Sequence, residues 1–134
     1  MSEINTSLFS KNHTLSIFNI DENITCLRFI DQTKERFELE FNLEKGTSFN
    51  TFLIINNKEL FIIHPPEKQH LNPFLELLSN FFDQFKLNKI NFITGHINPK
   101  IIETIKNVST KFKNVVITCS NPGFKLISEL WNQK

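Results

Sequence analysis

Residues 89–119 read KINFITGHINPKIIETIKNVSTKFKNVVITC, and this stretch decides the fold class. Its two ends, residues 89–94 and 115–119, are short and mostly apolar, which is typical of buried strands. Asn98 and Pro99 between them match a helix cap followed by a first-turn proline. Apolar residues then recur at helical spacing, at Ile101, Ile102, Ile105 and Val108. A strand–helix–strand unit joins parallel strands by a right-handed crossover, so the stretch predicts an α/β fold.

A helix is predicted on each side of this unit. The upstream helix has one apolar stripe, with Asn72 placed to cap it and Pro73 in its first turn. The stripe consists of Phe74, Leu77, Leu78, Phe81 and Phe85. Downstream, residues 120–122 repeat the cap-plus-proline pattern before a terminal helix that continues to about Trp131. The second half of the chain therefore alternates helices and strands in the order αβαβα.

The first half of the chain instead follows the period of two that strands require. Five strands are predicted, at residues 15–20, 24–30, 37–43, 49–55 and 59–63. Turn-forming residues make hairpins of the first pair and of the last pair. Residues 1–14 are polar and aperiodic and are interpreted as a loose N-terminal arm, which leaves residues 15–134 as one domain. The whole pattern predicts a mixed sheet, antiparallel in its N-terminal part, with three helices.

Composition excludes several classes of protein. The 134 residues carry 15 basic and 14 acidic side chains, scattered along the chain, so a general nucleic-acid interface is not supported. No apolar run approaches the ~20 residues needed to cross a bilayer, and the N-terminus has no secretion signal. Cys26 and Cys119 are far apart in sequence and indicate neither a disulfide framework nor a metal knuckle. We expect a cytoplasmic protein without a membrane segment.

Four segments of the chain carry a family resemblance. They are FELEFNLEKGTSFNTFLII (37–55), LFIIHPP (60–66), KINFITGHINP (89–99) and VVITCSNPG (115–123). In this order, they resemble the N-terminal part of the oxygen-reducing flavodiiron proteins, in particular the cyanobacterial diflavin branch. The resemblance implies one half of a metallo-β-lactamase-like αββα sandwich, so we expect a truncated domain of that type.

The resemblance also implies which cofactors to look for. Complete members of the family hold a diiron centre in this domain, and a flavodoxin-like FMN domain and a flavin reductase domain follow it. They pass electrons from NAD(P)H through flavin to iron and reduce oxygen or, in some members, nitric oxide. Here no residues remain for a flavodoxin domain, and the three glycines form no dinucleotide-binding signature. Diiron, FMN and NAD(P)H are therefore not expected as cofactors.

The expected metal ligands of the family fall in one loop. Complete members carry His-x-Glu-x-Asp-His there, because iron prefers carboxylate oxygens and imidazole nitrogens. His96 matches the first ligand, whereas Asn98, Lys100 and Ile101 occupy the positions of the Glu, the Asp and the second His. A charged lysine has no lone pair and repels a dication. The family's later ligands would lie beyond Lys134, so only His96 is retained and a diiron site is not expected.

The same loop has a structural interpretation. Asn98 and Pro99 are expected to start a helix, and Lys100 to point towards solvent. The loop also lacks the His-x-His-x-Asp-His pattern of zinc hydrolases. The other histidines are interpreted as structural residues, with His64 as a polar residue at a strand end and His70 before a helix.

The favoured function is association without catalysis. In a complete αββα sandwich, a second sheet covers the face that carries residues such as Phe37, Leu39, Phe41, Phe52 and Leu53. Leaving several hundred Å² of apolar surface in water costs on the order of 10 kcal/mol, which is comparable to the stability of a whole domain. The chain is therefore expected to form a homodimer or to pair with a full-length flavodiiron protein.

Two alternatives stay open at the level of sequence. One is a metal-dependent oxidoreductase or hydrolase that keeps His96 and takes its other ligands from a partner chain. The other is a gene remnant without a selected function. The regular alternation, the helix caps and the turns favour a fold that is still specified.

Overall fold

The computed structural model describes residues 2–10, 13–32 and 47–131, with only the backbone described for residues 2–10. The strands are β1 (Ser2–Ser10), β2 (His13–Asn19), β3 (Ile24–Asp31), β4 (Thr47–Asn56), β5 (Glu59–Ile63), β6 (Lys89–Ile93) and β7 (Val115–Thr118). The helices are α1 (Leu71–Phe85), α2 (Pro99–Lys111) and α3 (Asn121–Trp131), and a short 3₁₀ turn, Lys68–His70, precedes α1.

The strands form one seven-stranded sheet in which spatial order follows chain order. Strands β1 to β5 are antiparallel, and β5, β6 and β7 are parallel. The two parallel pairings are made by the crossovers through α1 and α2. The predicted mixed sheet with antiparallel N-terminal strands and three helices is confirmed.

Both predicted hairpin turns are present, and each has a local physical cause. Between β4 and β5, Asn57 and Lys58 have φ angles of 49° and 63°, as a two-residue turn with left-handed backbone requires. Between β2 and β3, the Asp21 carboxylate Oδ1 accepts from the backbone N–H groups of Asn23 at 2.8 Å and Ile24 at 2.9 Å. These side-chain bonds hold the turn closed.

The N-terminal arm is where the structure departs most from the sequence prediction. Residues 1–14 were expected to be loose, but Ser2–Ser10 pairs with β2 and forms an edge strand, so that prediction is wrong for this segment. The register of this pair shifts between Glu3 and Asn5 and again between Leu8 and Ser10. Such bulges interrupt the period of two, which explains why the sequence pattern does not reveal a strand. The strand predicted at residues 37–43 lies outside the described residues.

The start of α1 also differs from the prediction. Asn72 was expected to cap this helix, but the helix begins at Leu71 and its N-cap position is His70, which makes no side-chain capping bond. The reason is that the turn Lys68–His70 continues directly into the helix. Asn72 therefore already has helical neighbours on both sides and lies exposed. The predicted cap of α2 is confirmed, because Asn98 Oδ1 accepts from the Ile101 N–H at 2.9 Å.

One face of the sheet and the three helices together build the core. Alternate strand residues meet apolar residues of α1 and α2 in a single cluster, and Trp131 of α3 packs against it. Its fully buried members include Leu27, Phe29, Leu53, Leu60, Ile62, Ile90 and Phe92 from the strands and Phe74, Leu78, Ile105 and Val108 from the helices. The prediction that Leu53 would lie on the uncovered face is wrong, since it is fully buried on the helix side.

The side chains on the other face of the same strands are also mostly apolar. We call this the open sheet face and define it as Ile24, Phe52, Ile54, Phe61, Ile63, Ile93 and Val116. None of these side chains is fully buried, and Ile93 and Val116 are 39% and 44% exposed. Burial on one side and exposure on the other means that the described part of the chain forms only one sheet layer with its helices.

The helix-side core should dominate the stability of the chain. We expect Phe74→Ala in α1 to lower the free energy of unfolding by about 3–5 kcal/mol, because a large, fully buried ring is removed. The matched change Phe124→Ala in α3 removes a ring that is 65% exposed and should cost less than about 0.5 kcal/mol. Urea denaturation of both variants measures the difference, and equal losses would contradict the assignment of the core.

Candidate functional site

The carboxyl ends of β5 and β6 meet at one edge of the sheet, and α2 begins there. A cavity of about 520 Å³ lies at this edge. It is lined by Phe29, Asp31, Thr47, Ser48, Phe49, Glu67, Gln69, His70, His96, Asn98, Pro99, Lys100 and Ile101. All four positions that the family resemblance assigns to metal ligands therefore face one cavity, together with residues from three other parts of the chain.

The strand ends that support this cavity are tied together by hydrogen bonds. The His64 N–H donates to the Ile93 carbonyl at 3.1 Å, and the Thr51 hydroxyl donates to the His64 carbonyl at 2.6 Å. His64 has a φ angle of 54°, a left-handed backbone that turns the chain out of β5. Its predicted role as a polar residue at a strand end agrees with this position. Pro65 and Pro66 follow and are buried, which leads the chain directly to Glu67.

Asn98 joins the start of α2 to Glu67. Its side-chain oxygen caps the helix at Ile101, and its side-chain nitrogen donates to Glu67 Oε1 at 3.2 Å. Both ends of one amide group are therefore used. A carboxylate in place of Asn98 could accept from the helix but could not donate to Glu67.

The Glu67 carboxylate is the centre of a small polar cluster. Its Oε2 accepts from Gln69 Nε2 at 2.8 Å and lies 3.9 Å from Lys100 Nζ. The Glu67 side chain is 13% exposed, whereas that of Lys100 is 51% exposed. The prediction that Lys100 points to solvent holds for about half of its surface, and its ammonium also approaches the carboxylate. We call Glu67, Gln69, Asn98 and Lys100 the Glu67 cluster.

The two remaining predicted positions behave differently from each other. His96 is exposed at the cavity, and its backbone carbonyl accepts from the Thr94 hydroxyl at 2.9 Å. Ile101 is only 2% exposed and belongs to the hydrophobic core. Within residues 2–10, 13–32 and 47–131, no three His, Cys, Asp or Glu side chains are grouped so that they could hold a metal ion. The loop itself offers one imidazole (His96), one amide (Asn98) and one ammonium (Lys100), and the nearby Glu67 carboxylate is bonded to the amide, so this set does not fit a diiron centre.

A second wall of the cavity comes from β3 and the turn before α1, and His13 of β2 packs behind it. His13 Nε2 lies 3.2 Å from Asp31 Oδ1. The ring of His70, which is 3% exposed, lies edge-on to the His13 ring at 5.5 Å and tilted against Phe29 at 4.8 Å. The sequence did not predict this group. Its members are separated by up to 57 positions, and only the cross-strand register of His13 with Asp31 brings the first two together.

The cysteines take no part in the cavity. Cys26 is buried and Cys119 half-buried, and both are free thiols. Burial raises the pKa of the Cys26 thiol, and the nearby Arg28 guanidinium acts in the opposite direction. A raised pKa keeps the thiol protonated at neutral pH, so Cys26 is not an activated nucleophile.

Comparison with known proteins adds the family context. No family model matches this chain. The chain is 35% identical over 114 residues to diflavin flavoprotein A 6 of Nostoc sp. (strain PCC 7120), which covers 85% of this chain and 20% of that protein. The chain thus spans about a fifth of the length of the curated relatives it matches. No helix within the described residues is long and apolar enough to cross a membrane.

Solved structures give the same result at the level of fold. The flavodiiron core of Flv1 from Synechocystis sp. PCC6803 superposes with a TM-score of 0.74 at 26% identity, over 89% of this chain and 29% of that one. The fragment 1–254 of diflavin flavoprotein A 5 from Nostoc sp. PCC 7120 also gives a TM-score of 0.74, at 28% identity over 90% of this chain and 47% of the fragment. The chain therefore has the fold of one part of a metallo-β-lactamase-like flavodiiron core, as its sequence predicted.

The dual role of Asn98 can be separated by substitution. We expect Asn98→Ala to lower the free energy of unfolding by about 1 kcal/mol, because the cap of α2 is lost. Asn98→Ser keeps a capping oxygen and loses only the donor to Glu67, so it should be clearly less destabilising. Thermal or urea denaturation of the two variants tests this, and equal losses would show that the bond to Glu67 matters more than the cap.

Proposed function

This chain is a homologue of the diflavin flavoproteins A and has the fold of part of a flavodiiron core; from that premise we propose that it acts by association and carries out no metal chemistry. The proposed role is that of a truncated, flavodiiron-type pseudoenzyme domain in the cytoplasm. Its partner is a second copy of itself or a full-length flavodiiron protein linked to oxygen reduction. It needs no diiron, FMN or NAD(P)H of its own.

The Glu67 cluster is the observation that carries the non-catalytic part of this proposal. The loop that should present carboxylates and imidazoles instead presents the amide of Asn98 and the ammonium of Lys100, and both approach Glu67. A carboxylate that accepts from two amides and faces an ammonium is already compensated without a metal. A dication entering there would lose this compensation and meet the positive charge of Lys100.

His96 alone does not restore a site. A single imidazole in this loop leaves most positions around a metal to water, which gives weak and unselective binding. The position of the second expected histidine holds Ile101, whose side chain is part of the core and offers no donor atom. Ligands from a partner chain would have to replace nearly the whole set.

The open sheet face supports the associative part. Its seven apolar side chains lie on one face of β3 to β7, where Ile93 and Val116 are exposed and the other five are half-buried. An apolar patch on a protein surface marks an interaction site. The chain's charge of +1 is spread over 29 ionic side chains, which favours a protein surface over nucleic acid as the partner.

Metal content distinguishes this proposal from a metalloenzyme. We expect the wild-type chain, produced in medium supplemented with iron and zinc, to contain far less than one metal ion per chain by elemental analysis. His96→Ala should leave that value unchanged, since the imidazole holds no metal. The double variant Asn98→Glu with Lys100→Asp restores two carboxylates beside His96 and should retain zinc through dialysis better than the wild type.

The double variant is the positive control, because it shows that the assay detects a metal held in this loop. Iron or zinc near one ion per chain in the wild type, lost in His96→Ala, would contradict the proposal. That result would support a metal-dependent oxidoreductase or hydrolase that has kept its histidine.

A further inference from the structure

The side chains of the open sheet face are arranged in two rows, and the strand register defines both. The first row runs Ile24, Ile54, Phe61, Asn91 and Val116 across β3 to β7. The second row runs Cys26, Phe52, Ile63, Ile93 and Thr118 across the same strands. The two rows are adjacent because their members are two residues apart on every strand, so they form one band. Seven of its ten members are the open sheet face, Asn91 and Thr118 are polar, and Cys26 is only 3% exposed.

We infer that this band docks a second copy of the same chain, face to face, about a two-fold axis that crosses the strands between the two rows. The inference rests on the proposed associative function and selects the second copy as the partner. A rotation about such an axis keeps each strand over its own equivalent and exchanges the two rows. Two-fold interfaces between identical chains are isologous, so the band must be complementary to itself.

The size of the side chains meets this requirement on the two central strands. On β4 the exchange places Phe52 of one copy over Ile54 of the other, and on β5 it places Phe61 over Ile63. Each large ring therefore faces a smaller branched side chain, and no ring faces its own equivalent. Packed sheets interdigitate in this way when large and small residues alternate across the interface.

The polar residues beside the band are matched by the same rotation. On β4, Asn50 lies beyond the second row and Asn56 beyond the first, so the axis brings these two amides opposite each other. An amide carries both a donor and an acceptor and can pair with another amide. Next to them, Arg28 lies on one rim, bonded to Asn50 at 3.3 Å, and Glu59 lies on the other, paired with Lys89 at 3.6 Å. The exchange places the Arg28 rim of one copy over the Glu59 rim of the other, with the two charged side chains two strands, or about 10 Å, apart.

The area of the band agrees with a weak dimer. Five strands at a spacing of about 4.8 Å and about five residues of each, at roughly 3.3 Å per residue, cover on the order of 400 Å² of sheet plane per copy. Side-chain relief makes the accessible surface larger than this plane. Two copies then cover about 800 Å² of sheet plane in total, which lies below the range of about 1,000–1,200 Å² at which specific interfaces begin. We therefore expect a dimer that dissociates at micromolar concentrations.

Sedimentation velocity across micromolar concentrations tests the dimer. The wild-type chain should change from monomer to dimer as concentration rises. Ile93→Lys places a charge in the second row at a side chain that is 39% exposed, so it should fold normally and remain a monomer. Phe124→Lys makes the same kind of change on α3, outside the band, and should dimerise like the wild type. Urea denaturation of each variant confirms that it is folded.

The two-fold register is tested by exchanging the facing residues of β4. Phe52→Ile alone leaves a gap opposite Ile54, and Ile54→Phe alone sets a ring against a ring, so each should raise the dissociation constant severalfold. The double variant restores one ring opposite one isoleucine and should recover most of the wild-type affinity. Such coupling is expected only if the two positions face each other.

Each outcome separates this inference from the proposed function. A wild-type chain that stays monomeric overturns the two-fold band. An Ile93→Lys variant that dimerises as well as the wild type also overturns it. Additive losses in the double variant of β4 overturn the register. A chain that is monomeric alone but binds a full-length flavodiiron protein through the open sheet face overturns the inference and leaves the proposed function intact. Stoichiometric metal in the wild type would instead contradict the proposed function.

Discussion

Among the described residues the sheet is apolar on both faces but helices cover only one of them, and the other features of the molecule depend on this constraint. Because alternate residues of a strand point to opposite faces of the sheet, every second side chain of β3 to β7 points towards α1 and α2 and joins the core. The side chains between them form the open sheet face, where Ile93 and Val116 are among the most exposed apolar side chains. Hydrophobic burial sets the scale, because a few hundred Å² of wet apolar surface costs as much as a domain's net stability. This imbalance is the physical basis of the proposed association through that face.

In the loop at the carboxyl ends of β5 and β6, residues at the expected ligand positions stabilise the fold instead. Asn98 caps α2 and at the same time donates to Glu67, and Pro99 fits the first turn of the helix. These residues stabilise the local structure by ordinary capping and hydrogen bonding. The cavity lies beside them and is lined by the Glu67 cluster and by apolar residues such as Phe29 and Phe49. The Glu67 carboxylate, bound by amides and facing a lysine, lines the same cavity as the four positions that the family resemblance assigns to metal ligands.

Much of the fold could be predicted from the sequence, because alternation and caps are local signals. The strand Glu59–Ile63 and the helix start at Asn98 were predicted at the residues where the structure has them. The edge strand Ser2–Ser10 was missed because two register shifts erase its periodicity. Leu53 was assigned to the wrong face. It lies in an unbroken apolar run, and such a run does not show which alternate residues face the helices. The Glu67 cluster was also missed, since Glu67 and Asn98 are distant in sequence and only the parallel pairing of β5 and β6 brings them together.

The central claim is that the open sheet face is an interface in solution. An isotope-filtered NOE experiment on a mixture of ¹³C-labelled and unlabelled chains tests it most directly, because it reports only contacts between different copies. We predict intermolecular NOEs from the methyl groups of Ile54 and Ile63 to the phenylalanine rings of the second copy. Spectra without intermolecular NOEs at concentrations well above micromolar, or NOEs confined to the helix side near Phe124, would contradict the account.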